Sequence, residues 1–336
     1  MKAALYQGQG KIEMTTLPDP VCTDDGVILQ NIYASICGTD VAVYTHGTGL
    51  GHKITIGGEF GHEVVCRIKE KGKNVQGLSV GDRVYPYPRL VTGDTKRAGT
   101  IGGFSEYIKS PVTREGVEVY RISDKISDRK AALIEPFTVG CRAARRGAPK
   151  KGENAIVFGA GTIGIGAAIA LRHFGCEKVM ICDHSDFRLQ IVKELGFAIC
   201  NNGKEDLHQV AEAYFGESYG YKGKTADVDI YIDAAGADSI LDDYLEHGKV
   251  DSRLVLVAVG KNERNVNVLG MTFGQLAIIG SGGYMPEDVR DVMEIMESGR
   301  WDIEKIITHE YPHERLEEAI KMAANTDEAL NVVIKY

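Results

Sequence analysis

Two groups of residues in this 336-residue chain have the types and spacing to do chemistry. The first is contiguous. Gly159-Ala160-Gly161-Thr162-Ile163-Gly164 reads G-x-G-x-x-G, follows the apolar run 155–158 and opens a helical stretch through Ala167, Ala168 and Ala170. In that setting the first glycine permits a tight turn, the second lets a pyrophosphate approach the backbone, and the third lets helix and strand pack closely. Phosphate then rests on a helix N-terminus, where unpaired N–H groups and the dipole favour negative charge. Asp183 ends the run 178–183, about 20 positions on, where a carboxylate accepts hydrogen bonds from ribose hydroxyls and repels a 2′-phosphate. The pattern therefore predicts NAD in preference to NADP. Arg188 has two readings: a contact to the adenine or to Asp183, or a solvated helix arginine.

The second group is dispersed: Cys37 in Cys37-Gly38-Thr39-Asp40, then His62-Glu63, then Glu135. A thiolate, an imidazole and one or two carboxylates are the donors of a catalytic zinc site, in which three protein ligands leave a position open. Singly, each has a plainer explanation, since a free cysteine is usually a small buried hydrophobe. No helix-borne pair of the H-E-x-x-H kind ties them together.

The elements that must position these groups differ along the chain. Residues 1 to about 130 read as short strands (2–6, 26–35, 62–69, 83–87 and 104–109) divided by Gly, Asp and Pro turns, an all-β module. From Asn154 onward, after Lys150-Lys151-Gly152-Glu153, continuous apolar runs at 155–159, 179–183, 229–234, 254–260 and 277–281 alternate with amphipathic stretches. Strands that are apolar on both faces and alternate with helices predict a doubly wound parallel sheet, so the chain as a whole is α/β. Val259-Gly260 and Gly280-Ser281, at the ends of two such runs, should meet the nicotinamide, because open α/β sheets bind ligands beyond the carboxyl ends of their strands. The tail 286–336 reads as helix, strand, helix and a β-rich hexamer, and periodicity does not assign it to either domain.

Composition removes several classes of partner. Lys and Arg number 39 against 47 Asp and Glu, a net charge of −8, without the basic footprint that nucleic acid or an anionic membrane requires. The short basic stretch 142–151 reads as the solvated end of a helix running into a loop. Seven cysteines, odd in number and without a C-x-x-C, are not laid out as a disulfide or structural-zinc framework. A reduced, cytoplasmic setting follows, and neither a signal peptide nor a run of about 18 apolar residues speaks against it. Glycine is in excess, 40 residues, without a collagen-like period, which points to turns and close backbone approaches.

The neighbours of the dispersed group carry a resemblance. Gly61-His62-Glu63 through Gly72, followed by Asn74-Val75 and Val80-Gly81-Asp82-Arg83-Val84, resembles the zinc alcohol dehydrogenase signature of the medium-chain dehydrogenase/reductase superfamily. Similarity extends over nearly the whole chain, through the opening residues 1–6, Cys37-Gly38-Thr39-Asp40, residues 102–107, the glycine motif, Thr308-His309 and Val332-Val333-Ile334. Residues 132–136, Ala-Leu-Ile-Glu-Pro, are similar to the polyol (sorbitol) dehydrogenase branch, which has Glu where classical alcohol dehydrogenases have Cys.

The resemblance implies a GroES-like catalytic domain (1–150), a Rossmann NAD-binding domain (151–285) and a C-terminal segment (286–336) that returns to the catalytic domain. It makes Cys37 and His62 zinc ligands, leaves Glu63 and Glu135 competing for the third place, and gives Thr39 the relay of the substrate proton. Tyr44, His46 and Tyr107 would line the substrate pocket. The implied reaction is hydride transfer between a secondary alcohol (polyol, sugar or cyclitol) and NAD, with a threonine-3-dehydrogenase-like or sugar-phosphate dehydrogenase as the alternative. Zinc-independent quinone reductases and non-catalytic crystallins share the scaffold but lack the Cys/His/Glu set. Homodimers and homotetramers are common in the family.

Three departures qualify the resemblance. No cysteine occurs from Tyr85 to Ile101, where the family's structural-zinc lobe needs four, so one zinc per chain is expected. Ala42 stands where many relatives carry the His that ends the proton relay, which leaves the cofactor ribose and water, or His46, for that step. Cys66 replaces the glycine usual in the signature, and nothing in the sequence accounts for it.

Overall fold

The structure is a computed structural model that describes residues 1–48, 54–91, 101–259 and 263–336. Gly260 and parts of the loops 44–56 and 85–101 lie outside the described residues. Two units divide the chain: Met1–Glu135 with Met296–Tyr336, and Pro136–Ile295.

The first unit is built around the strand Val27–Ser35, whose Val27, Ile28, Leu29 and Ala34 are buried. It pairs antiparallel with Glu63–Lys71, Tyr107–Ser110 and Asn331–Lys335, and Ile307–Pro312 runs parallel to the last of these. The tail from Met296 thus completes this sheet, with Val333 opposite Ser35. Burial of Leu29, Val64, Ile68, Phe104 and Ile334 fills the space beneath it. Register decides what stands at the sheet's end: Ser35 faces Glu63, so Cys37 and His62 emerge side by side from neighbouring strands. Cys66 also acquires a purpose. Its buried thiol donates to Asn31 Oδ1 at 2.9 Å, while Asn31 Nδ2 donates to the carbonyls of Gly103 and Ser105. A glycine there would leave that buried acceptor without its donor.

The second unit holds a six-stranded parallel sheet in the order Ala198–Asn201, Lys178–Asp183, Asn154–Phe158, Ile230–Asp233, Arg253–Leu256, Ala277–Gly280. Numbered along the chain this is 3-2-1-4-5-6, the Rossmann arrangement, with its switch point beside Asn154–Phe158. Every residue of that central strand is buried, as a sheet covered on both faces requires.

Three features differ from the sequence reading. The units divide at Glu135/Pro136 and Ile295/Met296, whereas the change of sequence character falls near residues 150 and 286. The cause is the helix Ile134–Arg146, which covers the parallel sheet: a Cβ on its Gly140 would meet the backbone of Ile163 and Ala167 at 2.5–2.6 Å. Nor is the basic stretch 142–151 merely a solvated helix end. Arg145 Nε lies 2.7 Å and Arg142 3.8 Å from the fully buried carboxylate of Asp288, so these cations neutralise an interior charge. Finally, a hairpin, Glu217–Gly220 with Gly223–Ala226, stands where no strand is expected from the sequence, since its residues are mostly polar or glycine.

Candidate metal centre and nucleotide site

In the first unit, donor atoms of Cys37, His62 and Glu63 lie within 4.8 Å of one another. Cys37 precedes the helix Gly38–His46, and its backbone N–H donates to Asp40 Oδ2 at 3.0 Å, so Asp40 locks the turn that presents the sulfur. Asp40 is fully buried and its charge acts on His62, a double role the sequence reading did not assign. The Cys-x-x-Asp spacing ahead of a helix was the available signal, because it is the spacing of a capping box. His62 is fixed from the other side. Gly61 has φ +89°, and a Cβ there would strike Phe104 at 2.7 Å, so only glycine lets the two segments approach.

Glu63 is buried beside the Ser35 hydroxyl, which in turn accepts a hydrogen bond from Asn331 Nδ2 at 2.9 Å. The tail therefore braces a candidate ligand more than 260 positions away, a link no sequence pattern announces. Glu135 lies outside the 4.8 Å group, but it is buried and its charge acts on Cys37, Asp40 and His62. Thr39 is half-buried, with its hydroxyl against the Cys37 sulfur.

The electrostatics are those of an anionic pocket. Burial, then the charges of Glu63, Asp40 and Glu135, push the Cys37 thiol well above its ordinary range. Burial raises Glu63 and Asp40 as well. At His62 burial works downward, yet Asp40, Glu135 and Glu63 together outweigh it and hold the imidazole above its usual value. One soft and one borderline donor beside buried carboxylates match zinc, whose charge would offset the repulsion and keep the sulfur ionised.

The expected pocket residues fare unequally. Tyr44 donates to Glu317 Oε1 at 2.8 Å and packs on the core. His46 is exposed at the end of its helix. Tyr107 is placed elsewhere: its ring lies 3.5 Å from Lys69 Nζ, six residues along the strand from Glu63, which is roughly 20 Å of extended chain. The pairing of Tyr107 with Gln30 rather than with the Ser35 end of its neighbour puts it there.

In the second unit the glycine motif joins the strand Asn154–Phe158 to the helix Thr162–His173, with Gly161 at the N-cap. Gly159 has φ +103°, and a Cβ on Gly164 would collide with the Gly159 carbonyl oxygen, so the first and third glycines are fixed by the fold itself. Gly161 is different: a Cβ there meets only Arg188 Nη1, at 4.0 Å, leaving open space where a phosphate would approach. The N-terminal turn Thr162-Ile163-Gly164 faces that space as a helix start does. Asp183 ends its strand and accepts from Ala160 N at 2.6 Å and Ser185 N at 2.9 Å, one to each oxygen. Its remaining lone pairs suit ribose hydroxyls.

Arg188 is half-buried on the next helix. Val259 is exposed and lines a cavity with Asp233, Gly236, Leu256 and Arg264. Ser281 N–H donates to Leu256 O, and the buried Ser281 Oγ has no hydrogen-bond partner among the described residues, which fits a ligand amide. Asp233, unassigned by the sequence reading, is buried at a strand end where it accepts from Ala235 N and Gly236 N.

These two constructions, a Cys/His/Glu group on a GroES-like sheet and a glycine turn on a Rossmann sheet, are the parts of a zinc-dependent dehydrogenase. Residues 23–122 match the alcohol dehydrogenase GroES-like domain and residues 162–298 the zinc-binding dehydrogenase domain. The chain belongs to the zinc-dependent medium-chain dehydrogenase superfamily, in its polyol-type branch, and is an oxidoreductase that uses zinc and a nicotinamide cofactor. It is 28% identical to the sorbitol dehydrogenase of Bacillus subtilis (strain 168), over 99% of this chain and 97% of that one. It is 30% identical to the L-threonine 3-dehydrogenase of Edwardsiella ictaluri (strain 93-146), over 89% of each. An alcohol dehydrogenase from Escherichia coli CFT073, solved with NADH, superposes with a TM-score of 0.85 at 25% identity, covering 100% of this chain and 99% of the other. Among the described residues, no helix is long and apolar enough to cross a membrane.

Proposed function

We propose that the protein oxidises a secondary alcohol of a polyol, sugar or cyclitol with NAD, using one tightly held zinc in the Cys37, His62 and Glu63 group. The observation that carries this reading is the convergence of those three donors within 4.8 Å, with Cys37 and His62 partly open to solvent and Glu63 buried behind them. Their grouping favours Glu63 over Glu135 as the third ligand. Bound zinc supplies Lewis acidity toward the substrate hydroxyl. A bound nicotinamide would supply the hydride acceptor for the alcohol carbon. Thr39, with its hydroxyl beside the Cys37 sulfur, would accept the substrate proton and release it toward water or His46. Asp40 holds the Cys37 backbone, and Glu135 adds negative potential that favours a cation in the pocket. The turn 159–164 holds the pyrophosphate, Arg188 contacts the adenine or Asp183, Asp183 holds the adenosine ribose, and Val259 and Ser281 receive the nicotinamide end.

The likeness to a threonine dehydrogenase at 30% identity keeps an amino alcohol as the second reading. A screen of NAD reduction against polyols, cyclitols, sugar acids, threonine and polyol phosphates separates them. An unphosphorylated polyol or cyclitol should give the highest kcat/KM; a tenfold preference for threonine or for a phosphorylated substrate would overturn the assignment. A reducing, cytosolic setting belongs to the same reading, supported by seven cysteines that are odd in number and without a disulfide pattern. Light scattering of the purified protein should give a homodimer or homotetramer.

A further inference from the structure

The second unit contains another set of metal-ligating side chains, none of which belongs to the glycine turn. Asp243 and His247 lie four residues apart on the helix Asp238–His247, hence on one face of it. His208 reaches them from the helix Leu207–Phe215. Donor atoms of the three lie within 4.8 Å of one another, with His208 Nε2 2.9 Å from Asp243 Oδ1. The rings of His208 and His247 are 4.0 Å apart and tilted by 49°. Two imidazoles this close repel each other when both are protonated, and both become ligands when neutral.

We propose that His208, Asp243 and His247 form a second metal site, which takes a late first-row divalent ion such as zinc. Two imidazole nitrogens and one carboxylate oxygen are donors of the right character for such an ion, and too few oxygens for calcium or magnesium. Each ligand is held from behind. The Asp206 carboxylate accepts from His208 N at 3.0 Å and from Gln209 N at 3.3 Å, fixing the start of that helix. Tyr244, next to Asp243, is buried and donates to Ser252 O at 2.8 Å. Thr225 Oγ1 donates to the His247 carbonyl at 2.5 Å. With both helices anchored, ion binding requires only side-chain rotation, and it clamps one helix to the other. His208 and Asp243 are half-buried and His247 is exposed, so the ion enters directly from solvent and water completes its coordination. Without a thiolate, this site binds zinc more weakly than the Cys37 group, and the two are separable by affinity.

Cobalt titration of the enzyme already carrying its tight zinc tests the site. Wild type should take up one Co2+ with d–d absorption and no sulfur-to-metal charge-transfer band, because no cysteine is present in the set. His247→Ala and His208→Gln should each weaken that uptake at least about tenfold and leave dehydrogenase activity unchanged. Zinc should raise the Tm of wild type and not of these variants, since an ion that binds only the folded state stabilises it. Failure of wild type to take up the additional ion, or uptake undiminished in both variants, would overturn the proposal. Retention of this uptake in Cys37→Ser would separate it from the first site, and its loss there would refute the assignment.

Discussion

The two units solve the problem of holding a ligand in opposite ways. In the second, the nucleotide site is made of backbone: a strand end, three glycines and a helix start, within one continuous run of residues. In the first, the metal centre is made of side chains from residues 37, 62 and 63, with 135 nearby, gathered by strand register and braced by residue 331. A backbone site fails when an atom is added; a side-chain site fails when one is changed. The units should therefore fail independently, each by its own kind of substitution.

The largest effect falls on the metal side. Cys37→Ser should lower kcat/KM at least about 10³-fold, the equivalent of several kcal/mol of Lewis-acid stabilisation, and remove zinc, while NADH binding measured by fluorescence persists. Loss of both functions together would break the comparison. Gly164→Ala is the converse. Its Cβ would overlap the Gly159 carbonyl, so NADH binding should be lost and the unit destabilised by about 1–3 kcal/mol, with zinc content still near one. Gly161→Ala sharpens this contrast, because the open space at that position predicts normal stability and weakened NADH binding.

Smaller effects test the supports. Asp40→Asn should cost about 10–100-fold in zinc affinity or activity, the usual range for a group that orients a ligand, as read by chelator competition. Asp183→Ser should raise the preference for NADP relative to NAD in steady-state kinetics; an unchanged ratio would mean that Asp183 serves only the turn through Ala160 and Ser185.

The smallest effect is a pH dependence confined to the first unit. Burial holds His313 neutral and pulls its pKa below the ordinary value, while its Nε2–H donates to Phe104 O at 2.9 Å. The unfolded chain protonates this histidine near pH 6.5. Between that pH and the lower folded value the unfolded state binds more protons, so stability is complete above about 6.5 and falls as pH drops through the window. His313→Gln should flatten the acid side of the Tm profile, and an unaltered slope would assign the sensitivity to other groups.

How much was legible in the sequence follows from the same contrast. The glycine turn, its strand and helix, and Asp183 were readable because the constraint is local: φ above zero at Gly159 and close packing at Gly164 act between near neighbours in the chain. Cys37, His62 and Glu63 were legible only as donor types and through a family resemblance. Ser35 and Asn331 were not legible as supports, because serine and asparagine are common and their contact depends on long-range pairing; Asp40 carried a local signal, the capping-box spacing from Cys37, but its burial beside His62 did not. Tyr107 was misplaced for the same reason, since strand register decides which end of a sheet a residue reaches. The basic stretch 142–151 looked like a solvated surface because its buried partner, Asp288, lies more than 130 positions away.

By itself, then, the sequence determined the α/β class, the dinucleotide turn and the inventory of metal donors, since periodicity, glycine geometry and side-chain chemistry are properties of short segments. Only the tertiary structure decided that Ser35 faces Glu63, which brings Cys37 to His62, that the tail completes the first sheet, and that His208, Asp243 and His247 meet. Those outcomes depend on which strands pair and in what register, and on which helices pack together. Burial over the whole fold selects these arrangements, and no local stretch of residues encodes them.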